Sequence, residues 1–221
     1  MKPATSRKTA LILIDVQNGF LHPTHWGTSR STPECERDIE RLLRAARDYN
    51  SALRADQGSD SILICHVQHH SIDPDSQLHP AKQIEVDGKS ITSVEPQRWA
   101  APSSGETVWV KNVNSAFIGT GLEAFLKQNH VRQLVICGLT TDHCVSTTTR
   151  MANNLRVVDI VKDNGVVVEE GDIILASDAC ATYGKGGFDA ETIHQVNLAS
   201  LNGEFAQVDT TANIVEAVFT A

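Results

Sequence analysis

The sequence predicts an α/β fold in which a mainly parallel sheet is flanked by helices on both faces. Short, continuous apolar runs alternate along the chain with longer segments that have apolar residues at helical spacing, and this alternation is typical of parallel sheets. The apolar runs lack the polar alternation of half-exposed strands, which indicates burial on both faces. The chain has 221 residues and no internal repeat, so one domain spanning 1–221 is expected.

The elements can be assigned in order from the N-terminus. TALILI (9–14) is the first strand, and a helix over 31–55 follows, with Ser31 or Thr32 as its cap and Pro33 in its first turn. A second helix, over 120–130, has a capping box formed by Thr120 and Glu123. The remaining predicted strands are 61–67, 107–110, 133–137, 157–161, 172–178 and 205–209, and the remaining helices are one ending near Asn154, 190–202 and 211–219.

The composition excludes several classes of partner. A formal net charge of −8 and the absence of a local Lys/Arg run argue against nucleic acid. No run of about eighteen apolar residues occurs, so no membrane span is expected, and the short polar leader does not resemble a signal peptide. The five cysteines form no CxxC pair, which indicates reduced thiols and a cytoplasmic location.

Candidate chemical groups lie at the ends of the predicted strands, where open parallel sheets bind ligands. Asp15 ends the first strand, Lys111 ends the third, and Cys144 follows the fourth. Asp178 ends a later strand and is best read as a loop or cap acid. An acid, a base and a thiol are therefore expected along one edge of the sheet.

These three residue types suit covalent catalysis by a thiolate. An ordinary cysteine is mostly protonated at neutral pH, so it needs a proton acceptor or a positive field that lowers its pKa. Asp15 could accept the proton, while Lys111 and the N-terminal end of the helix that carries Cys144 could supply the field. Taken singly, each residue has an ordinary structural explanation as a turn former, an exposed lysine or a packed hydrophobe.

Three segments resemble the isochorismatase-like hydrolases, the cysteine hydrolase superfamily that includes nicotinamidases and N-carbamoylsarcosine amidases. They are LILIDVQNGF, VWVKNVNSAFIGTGLEAFL and LVICGLTTDHCVSTTTRMA, with weaker similarity through ILASDACATY and ETIHQVNLASLNGEFAQV. The resemblance implies that Asp15, Lys111 and Cys144 form a catalytic triad and that the cysteine carries a covalent intermediate. It also implies a cis peptide between Leu139 and Thr140, and an oxyanion hole made by the backbone N–H groups of Thr140 and Cys144.

The resemblance extends to the substrate pocket and to assembly. Phe20, Asn114, Ser115 and Phe117 lie beside the triad in sequence and are candidate substrate contacts, although Phe20 and Phe117 could equally belong to the apolar core. The partners expected are a small-molecule substrate and further copies of the chain, as a dimer or tetramer.

Two segments depart from the family pattern. The loop after the second strand contains His66, His69, His70 and His79 but lacks the acid of the nicotinamidase metal motif. No metal or cofactor is therefore expected, and His69 and His70 are assigned to substrate contact or loop hydrogen bonds. The second departure is an extra segment at about 157–171, interpreted as an added hairpin that either covers a subunit contact or rims the pocket.

The retained thiol favours a metal-independent cysteine hydrolase that cleaves a C–N bond in a small amide, ureido or lactam substrate. Two alternatives stay open. One is an isochorismatase-type vinyl ether hydrolase, in which Asp15 supplies the acid–base chemistry and the thiol is incidental. The other is a catalytically silent binding protein on the same fold.

Overall fold

The computed structural model describes residues 1–53 and 61–220. Its strands are β1 (Thr9–Ile14), β2 (Leu63–His69), β3 (Gln83–Val86), β4 (Lys89–Thr92), β5 (Thr107–Lys111), β6 (Gln133–Leu139), β7 (Ile160–Val161), β8 (Val167–Glu169), β9 (Asp172–Ala181) and β10 (Gln207–Asp209). Its α-helices are α1 (Cys35–Ala52), α2 (Leu122–Gln128), α3 (Ser146–Asn154), α4 (Ala190–Leu201) and α5 (Thr211–Val218).

Within the described residues, six parallel strands form the central sheet in the order β10-β9-β6-β1-β2-β5. Successive strands β1, β2 and β5 extend the sheet in one direction, and β6, β9 and β10 extend it in the other. The strand order therefore reverses between β1 and β6. In open parallel sheets, a crevice for ligands forms at this reversal, beyond the carboxyl ends of the strands.

Helices cover both faces of the sheet, as predicted. Leu11 and Leu13 of β1 pack with residues of α1 and α5 in one buried cluster, whereas Ile12 and Ile14 pack with α2, α3 and α4 in the other. All four of these side chains are buried because successive residues of a strand point to opposite faces and both faces are covered. The continuous apolar runs of the sequence correspond to this burial.

Several element boundaries differ from the prediction. β2 and β6 each continue two residues beyond their predicted ends. The end of the first predicted helix, 54–55, lies outside the described residues. The predicted capping box is wrong, because α2 begins at Leu122 and its N-cap residue is Gly121. The Thr120 hydroxyl donates instead to the carbonyl oxygen of Ala116, four residues earlier in the chain, at 2.5 Å.

The extra segment forms an antiparallel hairpin from β7 and β8. The predicted strand 157–161 is reduced to Ile160–Val161, since Val157 and Val158 lie in the turn after α3, where they pack in the core. Glu169 in the hairpin forms ion pairs with Arg7 and Arg132, which precede β1 and β6. The hairpin therefore lies at the amino ends of the parallel strands. The expectation that it rims its own chain's pocket is wrong, since the crevice is at the carboxyl ends.

Within the described part of the chain, no helix combines the length and apolar character that a membrane crossing requires.

Candidate active site

Three parallel strands bring Asp15, Lys111 and Cys144 to the same edge of the sheet. Asp15 directly follows β1 and is held there by its backbone N–H, which donates to the Val67 carbonyl oxygen of β2 at 2.8 Å. Lys111 is the last residue of β5. Cys144 lies after β6 in one turn of π-helix, Thr141–Val145, which leads into α3.

The ammonium group of Lys111 lies at the centre of this cluster. Its Nζ atom is 2.8 Å from Asp15 Oδ2, 3.2 Å from Cys144 Sγ and 3.0 Å from His69 Nδ1. A protonated lysine has three N–H donors and no acceptor, so these three contacts use its full donor capacity. His69 Nδ1 must then be an acceptor, which fixes the neutral tautomer of that ring.

The cluster is buried, and burial dominates its electrostatics. The side chains of Asp15 and Lys111 are both 0% exposed, while Cys144 is 8% exposed. Burial by itself lowers the pKa of Lys111, but the charges and hydrogen bonds of Asp15 and Cys144 outweigh it, so the pKa is raised. Burial and the neighbouring Lys111 charge both lower the pKa of His69. The lysine is therefore charged and the histidine neutral at physiological pH.

The cysteine is a thiol in the resting site. Burial raises the pKa of Cys144, the Asp15 carboxylate raises it further, and Lys111 opposes both without cancelling them. Of the two routes to a nucleophile that the sequence left open, this favours proton transfer over a lowered pKa. Asp15 Oδ1 is buried without a hydrogen-bond partner among the described residues, so the carboxylate has an acceptor atom free.

Cys144 lies in the wall of a cavity of about 330 Å³ that opens at the carboxyl edge of the sheet. One side of the cavity is aromatic: the rings of Phe20 and Trp26 stack at 4.7 Å, and those of Trp26 and Tyr183 lie 6.1 Å apart. His69, Asn114 and Thr140 are also among its lining residues. Such a cavity suits a small molecule with an apolar or planar part.

Only some of the predicted substrate contacts reach this cavity. Phe20, His69 and Asn114 line it, and the carbonyl oxygen of the Asn114 side chain is 3.8 Å from Cys144 Sγ. Ser115 and Phe117 do not. The Ser115 hydroxyl is buried and accepts a hydrogen bond from the Phe117 backbone N–H, and the Phe117 ring packs in the apolar core. Both residues stabilise the segment that follows Lys111, and neither contacts the cavity.

The cavity also contains residues that the sequence analysis did not select, namely His25, Trp26, His143, Tyr183 and Lys185, together with Ser76, Leu78 and Gly184. Except for His143, which lies in the π-helical turn with Cys144, they lie in loops that are far apart in the chain. A backbone bridge between Arg30 and Tyr183 joins two of these loops. The sequence feature that could have indicated these residues is the polar and aromatic composition of the segments that follow β1 and β9.

The turn that carries Cys144 is fastened to the loop after β9. Asp142 accepts hydrogen bonds from the Thr182 hydroxyl and from Lys185 Nζ, the latter at 2.6 Å. The Thr141 hydroxyl lies 2.8 Å from Nδ1 of the buried His194. The peptide bond between Leu139 and Thr140 is cis, as the resemblance implied. These contacts hold Thr140 and Cys144 in a fixed relation at the cavity wall.

A metal ion could be considered where Asp15, His69 and Cys144 place ligand atoms within 4.8 Å of one another. The Lys111 ammonium, however, already forms hydrogen bonds with all three residues, so these atoms coordinate a cation that the protein itself supplies. The other histidines of the segment do not converge on them: His66 Nε2 lies 2.7 Å from Glu106, and His79 accepts a hydrogen bond from the Ala81 backbone. The expectation of no metal stays a prediction.

Comparison with known proteins identifies the family. The Isochorismatase domain matches residues 9–213. The isochorismatase family protein YrdC of Bacillus subtilis, itself uncharacterised, is 36% identical over 94% of this chain and 95% of its own length. An N-carbamoylsarcosine amidase from an Arthrobacter species is 30% identical, over 52% of this chain and 36% of its own.

A crystal structure of an isochorismatase-family hydrolase from Chromobacterium violaceum superposes with a TM-score of 0.75 and 32% identity, and the alignment covers 95% of this chain and 93% of that one. The chain therefore belongs to the isochorismatase family of hydrolases.

Proposed function

We propose that the protein is a metal-independent cysteine hydrolase that cleaves a C–N bond of a small amide, ureide or lactam through a covalent adduct on Cys144. The observation that carries this proposal is the Lys111 ammonium, which bridges Asp15 and Cys144 at the wall of an open cavity. The other four cysteines are fully buried and do not line that cavity.

In the first half-reaction, the Asp15 carboxylate takes the thiol proton as the sulfur of Cys144 attacks the substrate carbonyl carbon. The backbone N–H groups of Thr140 and Cys144 bind the oxyanion that forms, because the first turn of a helix leaves its N–H groups without internal partners. Collapse of this intermediate breaks the C–N bond, and Asp15 returns its proton to the departing nitrogen. An acyl group then remains on the sulfur as a thioester.

In the second half-reaction, water attacks the thioester while Asp15 accepts a proton from it. The sulfur leaves and is reprotonated, the acid is released, and Asp15 is again a carboxylate. Lys111 keeps its hydrogen bonds to both groups throughout, so the negative charge moves between a carboxylate and a sulfur that share one ammonium. Charge transfer within this fixed geometry needs little reorganisation.

Two further observations support C–N cleavage. The thiol is present, accessible from the cavity and adjacent to an acceptor atom, whereas a vinyl ether hydrolysis by acid–base chemistry has no use for it. The relative named as an N-carbamoylsarcosine amidase is, by that name, an enzyme that acts on an amide-type bond.

The test is a screen of small amides, ureides and lactams, read as release of ammonia for open-chain compounds and as ring opening for lactams. Cys144→Ala should abolish turnover while the circular dichroism spectrum is retained. Cys65→Ala is the matched control because Cys65 is a fully buried thiol in a neighbouring strand of the same sheet. It should keep wild-type turnover.

Isochorismate forms a parallel arm of the screen. Turnover of isochorismate by both the wild type and Cys144→Ala would replace the proposal with vinyl ether hydrolysis at Asp15. Mass spectrometry of the quenched wild-type enzyme should show a substrate-derived acyl group on Cys144. Steady turnover of an amide by the Cys144→Ala protein would contradict the covalent route directly.

A further inference from the structure

The cavity beside Cys144 is lined by one lysine and three histidine rings, although the protein as a whole is acidic. Its lining residues include His25, His69, His143 and Lys185, and among the described residues no aspartate or glutamate lines it. The formal net charge of the chain is −8. A lining that contains a lysine and none of the described carboxylates is a local feature of this site on an acidic protein, and it points to the charge of the ligand.

Lys185 presents the positive end of an ion pair to the cavity. Its Nζ atom is 2.6 Å from Asp142 Oδ2, and its side chain is 42% exposed, whereas the Asp142 side chain is 9% exposed. Asp142 does not line the cavity and already accepts a hydrogen bond from the Thr182 hydroxyl. Because an ammonium has three donors and Asp142 uses one, two N–H groups of Lys185 have no partner among the described residues and can bind a ligand.

Cationic neighbours also surround the rim. Burial, then His22 and then Lys82 lower the pKa of His25, so this ring is a neutral hydrogen-bonding group and the positive charge at the rim is that of Lys185. His143 lies beside the same ion pair, with Nε2 3.7 Å from Asp142 Oδ2. Deeper in the site, the Lys111 charge is balanced by Asp15 at 2.8 Å. Lys185 is also paired, with Asp142, but all three N–H donors of Lys111 are used, whereas only one donor of Lys185 has a partner among the described residues.

We propose that Lys185, with His143 beside it, is a specificity site for an anionic group of the substrate, most simply a carboxylate. This rests on the proposed function, since the carboxylate belongs to the amide or ureide that Cys144 attacks. The aromatic side formed by Phe20, Trp26 and Tyr183 then packs against the remainder of the molecule. The substrate class is a small amide or ureide that carries a negative charge.

The kinetic test uses compounds that differ only in this charge. Succinamate and succinamide form one pair, and N-carbamoylglycine and N-carbamoylglycinamide form another. The wild type should have at least a tenfold higher kcat/KM for the carboxylate of a pair, because a charge-assisted hydrogen bond contributes more than a neutral one. Lys185→Gln should reduce that ratio about tenfold or more. General structural damage would lower kcat/KM for both compounds by the same factor and leave their ratio unchanged.

Lys127→Gln is the matched control. Lys127 forms an ion pair of similar length, 2.7 Å to Glu123, with a side chain that is 44% exposed, and it lies away from the cavity. It should leave the kinetic constants of both compounds unchanged. A wild type without preference for the carboxylate, or a Lys185→Gln protein that keeps the preference, would overturn the proposal.

Binding to the Cys144→Ala protein separates this inference from the proposed function, since it requires no turnover. Calorimetric titration of the Cys144→Ala protein should show tighter binding of the carboxylate of each pair than of its carboxamide. The double variant Cys144→Ala/Lys185→Gln should bind the two compounds of a pair with equal affinity. This preference should also weaken between about 0.05 and 0.5 M salt, because the ion pair is partly exposed and is screened. Equal binding of carboxylate and carboxamide would refute the anion site even if amides are hydrolysed.

Discussion

Replacement of Lys111 by methionine should destabilise the protein far more than an ordinary surface charge change. The variant keeps an unbranched side chain that is one atom shorter, and it leaves Asp15 buried without the cation that lies 2.8 Å away. At an effective dielectric constant of about 20, the lost attraction is about 6 kcal/mol. Truncation of buried pairs costs about 3–5 kcal/mol, and that is the expected loss. For a chain of this length it lowers Tm by roughly 10 °C.

The double variant Asp15→Asn/Lys111→Met shows whether the pair itself is responsible. Removal of both charges leaves no isolated buried ion, so the double variant should be more stable than the sum of the two single effects predicts. We expect a coupling energy of at least about 2 kcal/mol. Urea unfolding followed by circular dichroism measures all three variants and the wild type.

Lys127→Met is the comparison that isolates burial. Its ion pair with Glu123 is 2.7 Å long but exposed on both sides, so its loss should cost less than about 1 kcal/mol. If Lys111→Met unfolds within about 1 kcal/mol of the wild type, or if the double-variant cycle is additive, then the buried pair is not the stabilising unit that its geometry suggests.

Three further outcomes can be measured. Because the pKa of Cys144 is raised, mainly by burial, iodoacetamide labelling of this thiol should accelerate steadily from pH 7 to beyond pH 9; a plateau near pH 7 would show a stable thiolate. Gly138→Ala should cost about 3 kcal/mol or more, or prevent folding, because a Cβ atom there would lie 2.1 Å from the Ile14 carbonyl oxygen at φ +123°; wild-type urea stability would contradict this. Burial acts to raise the pKa of Glu106, but Arg47 and other hydrogen-bond donors hold it at about 2, below its ordinary 4.5. Its contribution is therefore complete above about pH 4.5 and is lost as the pH falls towards 2, and Glu106→Gln should flatten this part of the stability profile.

The fold class was predictable because burial on two faces leaves a direct trace in the sequence. A strand such as β1 is apolar at consecutive positions because helices cover both of its faces. Each helix is apolar on one side only, so its apolar residues recur every three to four positions. The strand order has no such local trace. It depends on which strands pair across the sheet, and neighbours such as β1 and β6 are far apart in the chain.

The buried part of the site was predictable for a related reason. The rule that ligands bind at the carboxyl ends of parallel strands selects Asp15, Lys111 and Cys144 from their positions after apolar runs. Tyr183 and Lys185 also lie after a strand, but β9 was predicted to end at 178 and continues to Ala181, and Trp26 lies well beyond the end of β1. They occupy loops whose local sequence indicates only turns, and they become neighbours only when the folded sheet brings these loops together.

The state of the thiol shows why position alone is an incomplete guide to reactivity. A cysteine at the start of a helix and beside a lysine is expected to have a lowered pKa, yet burial and the adjacent Asp15 carboxylate raise the pKa of Cys144. Asp15 Oδ1, also buried, has no hydrogen-bond partner among the described residues. In the proposed mechanism, the sulfur therefore becomes nucleophilic only as its proton passes to Asp15. That proposal couples activation to the arrival of an electrophilic carbon, so the resting thiol needs no lowered pKa.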